Sequence, residues 1–169
     1  MEKFDLERQI MQSELLTSQE TRCPCCERLN KAYKRKLNKG QVYFLLELYN
    51  YYQKIRNKYK ALKQTPDISK FFIEYDTIRN IVRKKYDRNV TDYAKMVDFG
   101  LIISAHEYND YNGVSIGKFC ITTEGLKFIE RGGSVPKYLF QDSDGNTIYI
   151  SKDRITINSF IDDFKLQNL

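Results

Sequence analysis

Four cysteines and a single histidine are the residues in this chain best suited to metal or redox chemistry. Cys23 and Cys26 frame a C-x-x-C knuckle, with Pro24 and Cys25 making the turn between them. Two thiolates supply half of the four ligands that a structural zinc takes. The other candidates are Cys25, Cys120 and His106, so a site within one chain requires the knuckle to fold onto a strand near residue 120. A homodimer would instead pool two knuckles into a four-cysteine site. Zinc on Cys23 and Cys26 is therefore one expectation, and a knuckle that has lost its metal is the other. No βαβ pattern surrounds the pair, which disfavours a redox role. His106 has no nucleophile or carboxylate at a recognisable triad spacing and reads as a surface residue. Asp142-Ser-Asp-Gly145 has some calcium-loop chemistry, but its glycine comes fourth, not sixth, so it reads as a hairpin turn. No P-loop, GxGxxG, HExxH or GxSxG occurs, and the reading is non-enzymatic.

The cations carry the other chemistry. Lys and Arg number 28 against 22 Asp and Glu, a net charge of +6. Residues 28–88 hold 17 basic and five acidic residues, a local excess of +12, whereas both flanks are negative. Such lopsidedness points to a polyanionic partner; the bland alternative is a set of solvated, lysine-rich helices. Two groups stand out: Lys31, Lys34, Arg35, Lys36 and Lys39, then Arg83, Lys84, Lys85 and Arg88. Tyr33 interleaves the first and Tyr86 the second, as a surface for stacking single strands would require.

These groups need elements to hold them. The chain of 169 residues suits one domain with appendages. Its apolar runs are too short to cross a bilayer, and its charged start predicts no secretory signal, so the expectation is a cytoplasmic protein without membrane contact. Residues 1–22 predict an amphipathic helix. Val42, Leu45, Tyr49, Tyr52, Ile55, Tyr59 and Leu62 form one stripe at helical spacing, with Asn38 as N-cap and Thr65-Pro66 as the stop. A short aromatic strand is expected over 70–75, and a second helix with Ile78, Ile81, Val82 and Tyr86 inside. A third helix follows over Val90–Val97, with Gly100 just past its end. Strands over 101–104 and 118–121 enclose a loop, and Thr122 or Thr123 caps a helix to about Arg131. A hairpin over 137–151 and an apolar-acidic helix toward Leu166 close the chain.

Helix, strand, helix, tight turn, helix, strand, loop, strand is the order of a winged helix-turn-helix. The segment Tyr93-Ala-Lys-Met-Val-Asp-Phe-Gly-Leu-Ile-Ile and the later Gly117-Lys-Phe-Cys-Ile-Thr-Thr-Glu-Gly-Leu resemble the third helix, wing and following helix of bacterial winged-helix regulators. Together with Cys-Pro-Cys-Cys and Tyr33-Lys-Arg-Lys-Leu-Asn38, they also resemble small uncharacterised phage-encoded proteins with an N-terminal cysteine knuckle. The resemblance covers about residues 40–131. It implies an α+β fold with a winged-helix core, an N-terminal helix and knuckle, and a C-terminal hairpin plus tail. The corresponding segments are 1–39, 40–132 and 133–169, in a protein working in the cytoplasm of a bacterial host.

In such a motif the second helix lies in the major groove and meets bases near its N-terminus. That places Arg88, Asn89, Thr91 and Lys95 at the groove, with Asp92 beside them. Asp92 and Asp98 leave this helix acidic, and Glu107 and Asp110 do the same for the wing. Phosphate-dominated binding to nucleic acid, DNA being the expected kind, through the basic groups therefore fits better than base reading. The alternative is a protein–protein module, a host-directed inhibitor or virion component, that uses the acidic third helix and wing.

Overall fold

The computed structural model describes residues 13–14, 16–18, 20–23, 27–105 and 117–166. Pro24, Cys25, Cys26, His106 and the expected wing loop with Glu107 and Asp110 lie outside the described residues. Along the chain the elements are β1 (Glu20–Arg22), β2 (Leu29–Lys31), β3 (Tyr33–Arg35), α1 (Lys39–Ala61), a 3₁₀ turn (Ile68–Phe71), β4 (Ile73–Glu74), α2 (Tyr75–Tyr86) and α3 (Ala94–Asp98). There follow β5 (Ile102–Ser104), β6 (Lys118–Ile121), α4 (Thr123–Glu130), β7 (Val135–Pro136), β8 (Leu139–Gln141), β9 (Thr147–Ile150), β10 (Arg154–Ile155) and a second 3₁₀ turn (Ile157–Ser159). The architecture is mixed α+β, with no helix among the described residues long and apolar enough to cross a membrane.

Two compact units result. One consists of Met1–Lys36 with Pro136–Arg154, the other of Leu37–Val135 with Ile155–Leu169. In the first, β1 and β2 pair antiparallel, and β3 pairs with β8, which pairs with β9. The basic run Lys31–Lys39 thus supplies a strand, which its charge concealed. Its pairing partner lies more than a hundred residues away, so the hairpin and the basic run belong to one sheet. Asp142 shapes the hairpin turn as the sequence predicts: its Oδ1 accepts from the N–H groups of Asp144 (3.0 Å) and Asn146 (2.9 Å).

The second unit is organised by α1. Asn38 Oδ1 accepts from the Gln41 N–H and Gln41 Oε1 accepts from the Asn38 N–H, each at 2.9 Å, a reciprocal capping box. Of the stripe, Val42, Leu45 and Tyr49 are buried, joined by Phe44 and Leu48 outside it; Tyr52, Ile55 and Tyr59 are half-buried, and Leu62 at its far end is 55% exposed. The helix ends at Ala61, and Lys63 turns the chain at φ 54°, before Thr65-Pro66 is reached. Helix α2 lays Ile78 and Val82 on this core and leaves Ile81 outside it. β6 sits between β4 and β5, antiparallel to both. Thr122 Oγ1 accepts from the Gly125 N–H (3.0 Å) and caps α4.

Several expectations change. The helix expected over residues 1–22 has given way to a strand by Glu20–Arg22, because β2 is there to pair with it. The strand over 70–75 shrinks to Ile73–Glu74, because Asp67 caps a 3₁₀ turn through the Ser69 N–H (2.8 Å). The third helix begins at Ala94, not Val90, since Asp92 adopts a left-handed conformation (φ 56°) that no α-helix continues through. The segment 155–166 holds the end of a short strand and the 3₁₀ turn Ile157–Ser159 where a helix was expected, and Asp163 (φ 51°) interrupts it.

Candidate nucleic-acid interface

The connector between α2 and α3 is fixed at its backbone and open at its side chains. Asp87 ends α2 in the left-handed region (φ 51°). Val90 then tucks into the core, and its carbonyl accepts from the Tyr75 hydroxyl at 2.8 Å. Gln41, wholly buried at the start of α1, donates Nε2–H to the carbonyls of Thr91 (3.1 Å) and Asp92 (2.8 Å). Gly40 lies against the Asn89 carbonyl, where a Cβ would collide with it. Together these interactions tie residues 89–92 to the N-terminus of α1 and bring Lys39 beside them. Arg83, Lys84, Arg88, Asn89 and Thr91 all remain exposed.

Not every expected cation is equally available. Lys85 Nζ bonds to Glu47 Oε1 at 2.8 Å, and the Tyr86 hydroxyl donates to the same oxygen at 2.6 Å. The Glu47 side chain is only 9% exposed, so Lys85 serves to neutralise a buried carboxylate. Its hydrogen bond to Glu47, then that to Tyr86, pushes the Lys85 ammonium pKa up. Burial first, then the bond to Glu47, pushes the Tyr86 phenol up. Tyr86 also stacks on Tyr43, with centroids 4.2 Å apart and planes at 12°. It is a packed ring and not a free stacking surface. Lys95 pairs with Asp92 at 3.1 Å, on a helix of only five residues. Among the described residues, no ion pair engages Arg83, Lys84, Arg88 or Lys39.

Of the first basic group, Lys31, Lys34, Arg35 and Lys36 lie in the other unit, where Lys31 pairs with Glu20 at 3.7 Å. On β3, Lys34 Nζ sits 3.9 Å from the Tyr138 ring centroid and 5.6 Å from that of Phe140. Arg35 donates Nε–H to Gln141 Oε1 at 2.8 Å. Lys36 is exposed just past the strand, and Tyr33 is 47% exposed. Sequence reasoning missed the two rings beneath Lys34, Tyr138 and Phe140, and Tyr149 packed against both. The alternation Tyr138, Phe140 within the hairpin strand was the available signal.

Cys23 stands half-buried at the base of the loop joining β1 to β2. Its N–H donates to the Arg28 carbonyl (2.9 Å), and its own carbonyl accepts from the Glu27 N–H (2.8 Å). Cys26 lies outside the described residues, and no cluster of three metal-ligating side chains occurs among those described. Cys120 is buried in β6, its thiol bonded to the Ile121 carbonyl at 3.3 Å. Burial pushes its pKa up to about 11, which keeps it a thiol at neutral pH, not a nucleophile or ready metal ligand.

Comparison of the chain with protein-family models, curated proteins and solved structures found no match.

Proposed function

We propose that the second unit is a winged-helix module that binds DNA without catalysis, holding phosphates through Lys39, Arg83, Lys84 and Arg88. Support for the winged-helix reading comes from the order α1, β4, α2, α3, β5, β6 and from β6 lying between β4 and β5. One observation carries the binding reading: three exposed cations, Arg83, Lys84 and Arg88, flank a backbone turn held by Gln41 and Tyr75. A pinned backbone lowers the cost of ordering its side chains against a duplex. Asn89 and Thr91 extend from the same turn, within reach of base edges or phosphates. The five-residue α3, with Lys95 neutralised by Asp92, offers little base-reading surface, so affinity rests on phosphates and counterion release.

The test is fluorescence anisotropy on a labelled duplex across a salt series. The variant combining Arg83→Ala, Lys84→Ala and Arg88→Ala is expected to reduce the salt slope by up to about 0.9 for each phosphate no longer neutralised, with no change in sequence preference. Absence of binding at low salt, or an unchanged slope, overturns the reading and leaves a protein partner as the alternative.

A further inference from the structure

We propose that the β3-β8-β9 sheet is a second, separate binding surface, a stacking platform for the bases of single-stranded nucleic acid. The register places Lys34 opposite Phe140 and Phe140 opposite Tyr149. Directly opposed residues share a sheet face, and Tyr138, two positions from Phe140, shares it as well. The four side chains therefore form one patch. Tyr138 and Phe140 meet edge to face at 5.7 Å, Tyr138 and Tyr149 lie nearly parallel at 6.2 Å, and Phe140 and Tyr149 are 6.3 Å apart.

The opposite face is of mixed character: it carries the buried Leu139 and Gln141, and also Tyr33 and Ile150, which are 47% and 57% exposed. The aromatic side keeps all three rings partly open, and Lys34 is exposed beside them. Three clustered, half-buried rings beside an exposed ammonium make a contiguous patch with both apolar and cationic character.

Charge selects the occupant. None of the residues in β3, β8 or β9 is acidic, and Lys34, Arg35 and Lys36 follow one another along one edge. In the hairpin turn Asp142 is consumed by turn hydrogen bonds and Asp144 pairs with Arg28 at 3.6 Å, and past the far end of β9 the Asp153 carbonyl accepts from the Lys137 N–H at 2.8 Å. Rings that accept flat π-faces, edged by cations, match an unpaired strand in which bases and phosphates alternate. A duplex hides its base faces and gains nothing from the rings. In the free protein the Lys34 ammonium covers Tyr138; on binding, a phosphate takes the ammonium and a base takes the ring. The proposal does not rest on the duplex-binding reading of the second unit.

The experiment compares a labelled oligothymidylate with an abasic strand of the same length and charge, using the full chain. Stacking is worth about 1–3 kcal/mol per base, so wild type is expected to favour the base-bearing strand by about 5- to 140-fold for each base stacked. Phe140→Leu and Tyr149→Leu should erase that preference, and Tyr149→Phe should keep it. Lys34→Gln should weaken both strands alike and lower the salt slope by about 0.7. Equal wild-type affinity for the two strands overturns the proposal, as does a preference that survives both leucine variants. Should those variants lose the sheet by circular dichroism, photocrosslinking of a 4-thiothymidine strand to wild type decides. Adducts on Tyr138, Phe140 or Tyr149 sustain the platform, and adducts only elsewhere refute it. The variant lacking Arg83, Lys84 and Arg88 separates the two surfaces: it should lose duplex affinity and keep the base preference.

Discussion

Glu47 illustrates how a single residue reassigns its neighbours. It sits on the buried side of α1 and receives Lys85 and Tyr86 through one carboxylate oxygen. The sequence places Lys85 beside Arg83, Lys84 and Arg88 with nothing to mark it as different, because its partner lies 38 residues away. Side-chain pairing across helices is a tertiary fact, and neither periodicity nor charge counting reaches it. Glu47→Gln keeps the shape and an acceptor but removes the charge. A hydrogen bond to a charged group outweighs a neutral one, and Lys85 is half-exposed, so the expected loss is about 1 kcal/mol by urea unfolding. The same cluster sets an alkaline limit. The folded-state pKa values of Lys85 and Tyr86 are both raised, so their stabilisation is whole below the unfolded values near pH 10 and is lost as pH rises through the folded ones. Tyr49, Tyr51 and Tyr75 shift in the same direction, each mainly by burial. Thermal midpoints should therefore fall above about pH 10, and less steeply in Glu47→Gln than in wild type.

Among the elements, those specified by local chemistry were the legible ones. Asn38 caps α1 as its side chain predicts, Thr122 caps α4, and Gly100 turns the chain at φ 68° just after α3. The hairpin follows from Asp142–Gly145, and β6 matches its expected span. What escaped was decided by distant partners. β3 is a strand because β8 is available to it, and the third helix starts late because Gln41 holds the Thr91 and Asp92 carbonyls. Two substitutions test this connector. Gly40→Ala should gain up to about 1 kcal/mol from helix propensity but drive a Cβ into the Asn89 carbonyl. Overpacking against backbone costs about 1–3 kcal/mol, so the net effect is destabilising, read as a lower thermal midpoint and weaker duplex binding. Asp87→Gly should act oppositely. It relieves a left-handed non-glycine residue, by up to about 1 kcal/mol, and deletes a carboxylate beside Arg83, Lys84 and Arg88. A higher midpoint together with tighter duplex binding is the expected pair of results, and a lower midpoint would show that Asp87 holds the turn by its side chain.

At the scale of the molecule, apolar burial is very unevenly shared. Every buried hydrophobic residue among those described, except Leu139, belongs to the second unit. That unit has a core of its own, from Phe44 and Leu48 on α1 through Ile78, Met96 and Phe119 to Phe128 on α4. The first unit relies on short ladders, an arginine–glutamine bond and a clustered set of aromatic rings, which is little for so few residues. The two should therefore differ in local stability. Hydrogen exchange should be slowest at amides of α1 such as Leu45 and Leu48, and faster at those of β3 and β8. The covalent layout allows a stricter test. The chain leaves the second unit at Val135 and returns at Ile155, and these residues belong to β7 and β10, which pair. A short Gly-Ser linker can replace residues 136–154 without stretching the backbone, and the chain can begin at Leu37, which keeps the Asn38 cap. This shortened protein is expected to unfold cooperatively and to bind duplex with the wild-type salt slope, because Lys39, Arg83, Lys84 and Arg88 all remain. It should lose any preference for base-bearing over abasic single strands, because Lys34, Tyr138, Phe140 and Tyr149 are gone. A soluble, folded product that keeps the preference would move stacking into the second unit. A product without cooperative unfolding would mean that the core of the second unit does not suffice, and that residues 1–36 and 136–154 contribute to its stability.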